Sequence, residues 1–332
     1  MKHVETILVT GGGGYIGSIN AAALIQQGKQ VIVVDNFERG HRQAVPPEAA
    51  VETCDLRDEQ AIERVFSAYP VDAVLHFAAY AYVGESMTQA AEYFQNNFIG
   101  GYHLLNAMRR HGVRRIVFSS TCATYGEARR VPIDENQPLQ PINPYGRSKL
   151  AFELLLRSYE ESYGIRHAIL RYFNAAGASP NRGEDHDPET HLIPLVLFTA
   201  MGKRDSISIF GTDYDTPDGT CVRDYIHVSD LADAHLRALE YIRRESITCN
   251  LGTQRGYSVL EVIQAARAIT GESIPVQEAP RRAGDPPRLI ASAEKAQRLL
   301  GWQPRIVDIN EIIKTAWQWF VNHPHGYDKT GN

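Results

Sequence analysis

The first apolar run of strand length, ILVT (residues 7–10), leads without a break into Gly11-Gly12-Gly13-Gly14-Tyr15-Ile16-Gly17-Ser18. This junction constrains the fold more than any other stretch. It satisfies both G-x-G-x-x-G (Gly12, Gly14, Gly17) and G-x-x-G-x-x-G (Gly11, Gly14, Gly17). Glycines here permit a tight turn and let backbone approach a pyrophosphate, whose charge sits at the N-terminus of the helix that follows. The same alternation continues downstream. Strands are expected at 6–10, 30–35, 72–78, 114–120 and 165–174, and helices at 14–27, 59–68, 90–111 and 145–163. Strands alternating with helices force parallel pairing with right-handed crossovers and helices on both faces. The expected fold class is α/β, a doubly wound, Rossmann-like parallel sheet.

Beyond residue 174 the texture changes. Residues 178–189 are rich in Gly, Pro, Asp and Asn and predict a loop at a domain boundary. Helices follow near 193–201, 229–242, 259–270, 293–300 and 309–320, with an irregular stretch around Gly284 and Pro286-Pro287. With 332 residues, about two domains are expected. Residues 1–177 would bind the dinucleotide; residues 178–332 would form a smaller α/β substrate domain, some of whose segments return to the first.

The balance of 34 Lys+Arg against 39 Asp+Glu gives a net charge of −5, so there is no basic field for nucleic acid, and none is expected as a partner. The four cysteines (Cys54, Cys122, Cys221, Cys249) are widely spaced, with no Cys-x-x-Cys pair and no His/Cys cluster at zinc-ligand spacing. Buried thiols are expected rather than disulfides or a metal site. Met1 to Glu5 runs directly into the first strand without a signal-peptide pattern, and no apolar run approaches the ~18 residues of a membrane helix. The expectation is a soluble cytoplasmic protein with no membrane partner.

Eighteen residues past Gly17, the strand VIVV ends in Asp35, where a dinucleotide fold places an acid on the adenosine ribose hydroxyls. A carboxylate there repels a ribose phosphate and favours NAD over NADP, although Arg39 and Arg42 leave the second open. Asp55, after a third apolar stretch, is either a contact to the adenine edge or a loop-capping residue. Tyr145 and Lys149, four apart at the start of an expected helix, share one face. A cation about 5 Å from a phenol at an effective dielectric of 20 contributes roughly 3 kcal/mol, or about two pKa units. Lys149 would thus poise Tyr145 to move a hydroxyl proton during hydride transfer. Thr121, at the end of the strand that closes in Ser119-Ser120-Thr121, falls where open α/β sheets bind ligands and can bond the same hydroxyl.

Gly11 to Gly17, Thr121, Tyr145 and Lys149 together resemble the extended short-chain dehydrogenase/reductase superfamily. Within it, the chain is most similar to the UDP-galactose 4-epimerase (UDP-glucose 4-epimerase) family. The strings VTGGGGYIGS, HFAAYAYVGES, SSTCATYG, NPYGRSK, LRYFNAAGA, DGTCVRDYIHVSDLADAH and RRAGD carry the likeness from residue 9 to 285. The resemblance implies Tyr145 as acid/base, Thr121 as its assistant, and Lys149 also on the nicotinamide ribose. It implies NAD contacts from Gly11, Gly14, Tyr15, Ile16, Gly17, Asp35, Asn36, Asp55, Leu56, Phe77, Ala78, Asn96 and Tyr172. It implies UDP-sugar contacts from Asn174, Leu192, Phe210, Arg223, Arg282 and Asp285; Arg223 and Arg282 offer the forked donors a diphosphate favours. His191 falls among these positions where some relatives carry Asn, and Ala81 where some carry Lys. Arg288 falls where the sugar pocket closes.

The implied reaction is reversible inversion at carbon 4 of a UDP-hexose, UDP-galactose to UDP-glucose, through a 4-keto sugar with NAD retained. UDP-pentose or UDP-N-acetylhexosamine epimerisation stays open, as do a net NAD-dependent dehydrogenase or reductase and a non-catalytic sensor. Dehydratases of the superfamily place an acid just after the catalytic Ser/Thr; Cys122 and Ala123 stand there instead, which favours oxidation without elimination. The resemblance further implies a homodimer paired through residues 90–111 and 145–163.

Overall fold

The computed structural model describes residues 4–282 and 285–327. Gly284 and Met1 to His3, on which parts of the sequence reading fall, lie outside them. In chain order the first elements are β1 (Thr6–Thr10), α1 (Tyr15–Gln26), β2 (Gln30–Asp35), β3 (Ala50–Thr53), α2 (Glu59–Ala68) and β4 (Ala73–His76). Then come α3 (Val83–Ser86), α4 (Ala90–Phe94), α5 (Gly100–Arg110), β5 (Arg115–Thr121), α6 (Pro144–Tyr163) and β6 (Arg166–Tyr172). The remainder comprises β7 (Asn174–Ala176), α7 (Leu192–Ala200), β8 (Ile207–Phe210), β9 (Val222–His227), α8 (Val228–Tyr241) and β10 (Ile247–Leu251). The last are β11 (Gly256–Ser258), α9 (Val259–Thr270), β12 (Val276–Ala279), β13 (Arg288–Leu289), α10 (Glu294–Leu300) and α11 (Ile309–Asn322).

Seven parallel strands form the large sheet in the order β10-β6-β5-β4-β1-β2-β3. Alternate side chains of its strands feed two cores. Ile7, Val9, Val31, Val33, Leu75, Val117 and Leu170 pack with α1, α8 and α10 on one face. Leu8, Ile32, Val34, Val74, Ile116, Phe118 and Ile169 pack with α2, α5 and α6 on the other. Burial on both faces is why these strands read as unbroken apolar runs. Helices α8 and α10 and strand β10 lie beyond residue 177 yet complete this layer. A third core joins α7, α9 and α11 with Ile207, Ile209 and Tyr225.

Three departures from the sequence reading affect the site. The helix expected over 90–111 is interrupted by a π-helical turn, Gln95–Ile99, so it is laid down as α4 and α5. Strand 165–174 breaks at Phe173, and β7 leaves the large sheet to pair with β9. β3 and β10 lie outside the expected strands. β10, ITCNL, carries too short and mixed a run to register.

Candidate active site

The chain leaves β1 for β2 and β3 on one side, then crosses back to β4 on the other, so the connections that follow β1 and β4 part at the carboxyl ends of these paired strands. Crevices at such switch points bind nucleotides. A deep cleft opens there, lined by Gly11, Gly14, Tyr15, Ile16 and Gly17 among others. Gly11 has φ +71°, and an added Cβ would sit 2.5 Å from the Ala78 nitrogen. A Cβ on Gly17 would lie 2.1 Å from the Gly11 carbonyl oxygen, so the turn tolerates no side chain. Gly14 begins α1 with no side-chain cap, and the first turn holds no acidic residue. Its free N–H groups and the helix dipole therefore stay open to an anion.

Asp35 accepts from Gly13 N and Phe37 N, each at 2.8 Å, while burial pushes its carboxyl pKa up. Asp55 accepts from Arg57 N at 2.8 Å, which is the loop-capping bond, and pairs with the Arg57 guanidinium, which helps hold its pKa down at about 2. It also accepts from Asn36 at 3.0 Å, and Asn36, Asp55 and Leu56 all line the cleft. The two arginines that kept NADP open each have a partner of their own, although Arg39 lines the cleft. Arg39 pairs with Glu85 at 2.8 Å over the Tyr80 ring, and Arg42 donates to Thr53 at 2.7 Å over Phe37. A glycine turn without room for Cβ, an uncapped helix start and an acid on the second strand fit NAD. Phe77, Ala78, Asn96 and Tyr172 complete that wall. The π turn carries Asn96 to the cleft and Asn97 to Tyr80, whose N–H and carbonyl it clamps at 2.8 and 3.0 Å.

Tyr145 stands in the first turn of α6. Asn143 caps that helix by accepting from Gly146 N at 2.8 Å, with Pro144 at its first position. Lys149, one turn on, donates from Nζ to the Ser119 carbonyl at 2.9 Å. Thr121 ends β5 and accepts from Ala123 N at 3.1 Å. All three line the cleft, and the Ser119 hydroxyl bonds to that of Tyr172. Burial pushes the Tyr145 phenol up to about 12, opposed by its hydrogen bond with Thr121. Burial also brings Lys149 down to about 7 against the pull of Glu153. In the protein alone burial, rather than the expected poising by Lys149, governs the phenol. Lys149 is buried while Tyr145 keeps part of its surface at the cleft, and an ammonium that loses its charge near neutrality gives the phenol little support.

On the opposite wall, Asn174 donates to the Asp224 carbonyl at 2.9 Å and lines the cleft with His191 and Asp285. Arg223 donates to the Pro286 carbonyl at 2.9 Å and faces Asp285 at 3.5 Å. Arg282 lies 3.8 Å over Phe210. The structure therefore gathers Phe210, Arg223 and Arg282 behind Asp285, which lines the cleft, whereas Leu192, Phe210, Arg223 and Arg282 do not. Arg288 donates to the Asp215 carbonyl at 3.3 Å and also lies off the cleft. Ala81 is on it, as are Tyr80, Tyr82, Glu184 and His186, which the sequence reading passed over. Glu184 and His186 belong to a cluster with Glu189 and His191. Its signal, E-x-H-x-x-E-x-H within one loop, escapes a search limited to His/Cys spacing.

A doubly wound sheet with this cleft and a Tyr/Lys/Thr set lining it defines an enzyme that handles a nucleotide cofactor at a hydroxyl-bearing carbon. Residues 7–252 match the NAD dependent epimerase/dehydratase family. The chain is 52% identical over 325 residues to UDP-glucose 4-epimerase of Halalkalibacterium halodurans, covering 97% of each. It superimposes on UDP-glucose 4-epimerase from Brucella ovis in complex with NAD at a TM-score of 0.93, with 45% identity, over 96% of this chain and 98% of that one. For UDP-glucose 4-epimerase from Bifidobacterium longum in complex with NAD+ and UDP, the TM-score is 0.92 at 39% identity, over 97% and 99%. The chain belongs to the NAD dependent epimerase/dehydratase family and, within it, to the UDP-glucose 4-epimerases.

Proposed function

We propose that this enzyme interconverts UDP-galactose and UDP-glucose by inverting carbon 4. The observation that carries the reading is the meeting of Tyr145 and Thr121 hydroxyls at the carboxyl end of β5, within the cleft and above Lys149. When bound, NAD supplies a hydride acceptor and a fixed positive charge, so a sugar alcohol is oxidised to a ketone and the ketone returned to an alcohol of either configuration. Tyr145 takes the 4-hydroxyl proton and gives it back, the positive charge that bound NAD would supply offsetting the burial that raises its phenol in the protein alone. Thr121 steadies the phenolate through the hydrogen bond that already lowers its pKa. Lys149, fixed by the Ser119 carbonyl, holds the nicotinamide ribose. Asp35 answers the adenosine ribose, and Asn174, Leu192, Phe210, Arg223, Arg282 and Asp285 hold the UDP-sugar.

Elimination finds no partner here, because burial pushes the Cys122 thiol up to about 11 and Ala123 has nothing to ionise. The two lobes divide the labour, cofactor to residues 1–177 and substrate to most of the rest. Phe94, Tyr102, Leu154 and Tyr163, exposed on α4, α5 and α6, support a homodimer paired through those helices. The four free thiols suit a reducing cytoplasm. No helix among the described residues is long and apolar enough to cross a membrane.

The test is incubation of the purified protein with UDP-galactose and no added NAD. Accumulation of UDP-glucose without net NADH is expected; stoichiometric NADH release would replace the reading with a dehydrogenase. Parallel reactions with UDP-N-acetylgalactosamine and a UDP-pentose settle the sugar.

A further inference from the structure

We propose that Glu184, His186, Glu189 and His191 bind one divalent metal ion of the zinc class in the wall of the cleft. Each offers one ligand atom, and the four atoms lie within 4.8 Å of one another. His191 Nδ1 is 2.9 Å from Glu184 Oε1 and 2.8 Å from Glu189 Oε1. His186 Nδ1 is 3.0 Å from Glu184 Oε1 and 3.9 Å from Glu189 Oε2. A tetrahedron with metal–ligand bonds of about 2.0–2.2 Å has edges of about 3.3–3.6 Å; the separations from Glu184 Oε1 fall just short of that, and those from the two Glu189 oxygens fall on either side of it. Small rotations of the side chains convert one arrangement into the other.

A second observation points the same way. The Glu189 side chain is only 5% exposed, yet its Oε2 has no hydrogen-bond partner. A carboxylate oxygen withdrawn from water and turned into a cluster of imidazoles without a bond of its own is a vacant ligand position in chemical terms. Two imidazoles and two carboxylates select a borderline cation; Mg²⁺ and Ca²⁺ take oxygen sets of higher number, and Cu(I) takes sulfur.

The surrounding groups hold the ligands in place, as metal sites require. Trp319 Nε1 donates to the Glu184 carbonyl at 3.0 Å, and Tyr327 N donates to Asp185 at 2.8 Å. A Cβ on Gly183 would fall 2.3 Å from the Trp319 ring, so the backbone leading into the cluster is pressed against α11. The Tyr15 and Tyr82 rings stand edge-on to His186. Since Glu184, His186 and His191 also line the cleft, the metal would clip the loop between β7 and α7 against the glycine turn and fix that wall. No chemical step is assigned to it.

The experiment uses the full untagged chain, stripped with a chelator and titrated with Zn²⁺ alone, with Mg²⁺ as a control. Metal content after desalting and the thermal midpoint are read together. One Zn²⁺ per chain is expected, with a raised midpoint and no response to Mg²⁺. Glu189→Gln and His186→Asn should each weaken Zn²⁺ binding at least about tenfold, while unchanged circular dichroism shows that both fold. Absence of stoichiometric Zn²⁺ in the wild type, equal binding by both folded variants, or a response to Mg²⁺ equal to that to Zn²⁺ would each leave only an ion-pair cluster and overturn the proposal.

Discussion

The cofactor wall and the substrate wall of the cleft are built in opposite ways. The first is backbone and space. Gly11 and Gly17 are positions where a Cβ cannot stand, and the start of α1 leaves N–H groups uncovered. The second is side chains that hold one another, with Arg223 on Pro286 and Asp285, and Arg282 on Phe210. A wall of backbone is pre-formed and suits a ligand that stays, whereas paired side chains must exchange partners when a ligand arrives and suit one that turns over. The catalytic set lies between the two. The sharpest way to break the comparison is therefore to remove chemistry while keeping both walls. Tyr145→Phe should lower turnover by about 10³- to 10⁴-fold with bound NAD unchanged. Measured kcat alongside cofactor content per chain checks it, and near-normal turnover would remove Tyr145 from the mechanism.

Beneath the cleft, adjacent strands of the large sheet are tied by a buried polar chain. Ser120 Oγ donates to Glu153 at 2.5 Å, and Arg171 pairs with Glu153 at 2.5 Å and donates to Tyr125 at 3.0 Å. Tyr125 in turn donates to Asn250 of β10 at 2.7 Å. Glu153 and Arg171 are essentially inaccessible to solvent, at 0% and 2%. Glu153→Gln should leave the guanidinium uncompensated and destabilise the protein by about 3–5 kcal/mol, read from denaturant midpoints at constant m. It should also lower the Lys149 pKa further, since Glu153 is what raises it. A loss below about 1 kcal/mol would mean that the pair is hydrated on unfolding and in the native state alike.

How much of this was legible in the sequence follows the same division. Backbone and glycine requirements are local, so one string announces the turn, and a second, NPYGRSK, announces the Tyr/Lys face. Asp35 is placed by counting along a single βα unit. Strands β7, β9, β11 and β13 instead draw the substrate wall from four separate segments, and no periodicity tells which will meet. Only likeness to relatives grouped Phe210, Arg223, Arg282 and Asp285. The sign of the Tyr145 pKa shift was misread for a related reason. Spacing shows that Lys149 shares a face with Tyr145, but not how much water each loses on folding. The Glu184 to His191 cluster was overlooked because the loop was read for what it cannot form, a helix or strand, rather than for which side chains it folds together.

Truncating a substrate-wall cation should separate the walls in solution. Arg223→Ala is expected to raise KM for the UDP-sugar about 10- to 100-fold, or about 1.4–2.7 kcal/mol, with kcat changed less and NAD content unchanged. Loss of NAD from this variant would show that the two walls are not independent and would undo the contrast between them.

The smallest effect concerns the residue that follows Thr121. Cys122 lines the cleft, and burial pushes its thiol up to about 11, against the lowering influence of Arg223 and a hydrogen bond from Thr121. At pH 8 a group with that pKa is ionised in about one molecule in a thousand, so almost none of it is thiolate able to accept a proton. Cys122→Ala should therefore change kcat by less than about threefold, and the wild-type thiol should resist alkylation by iodoacetamide at pH 8 while reacting as the pH approaches 11. A kcat loss comparable to that of Tyr145→Phe would place an ionising group where elimination chemistry needs one. The line between simple redox inversion and dehydration would then have to be redrawn at this position.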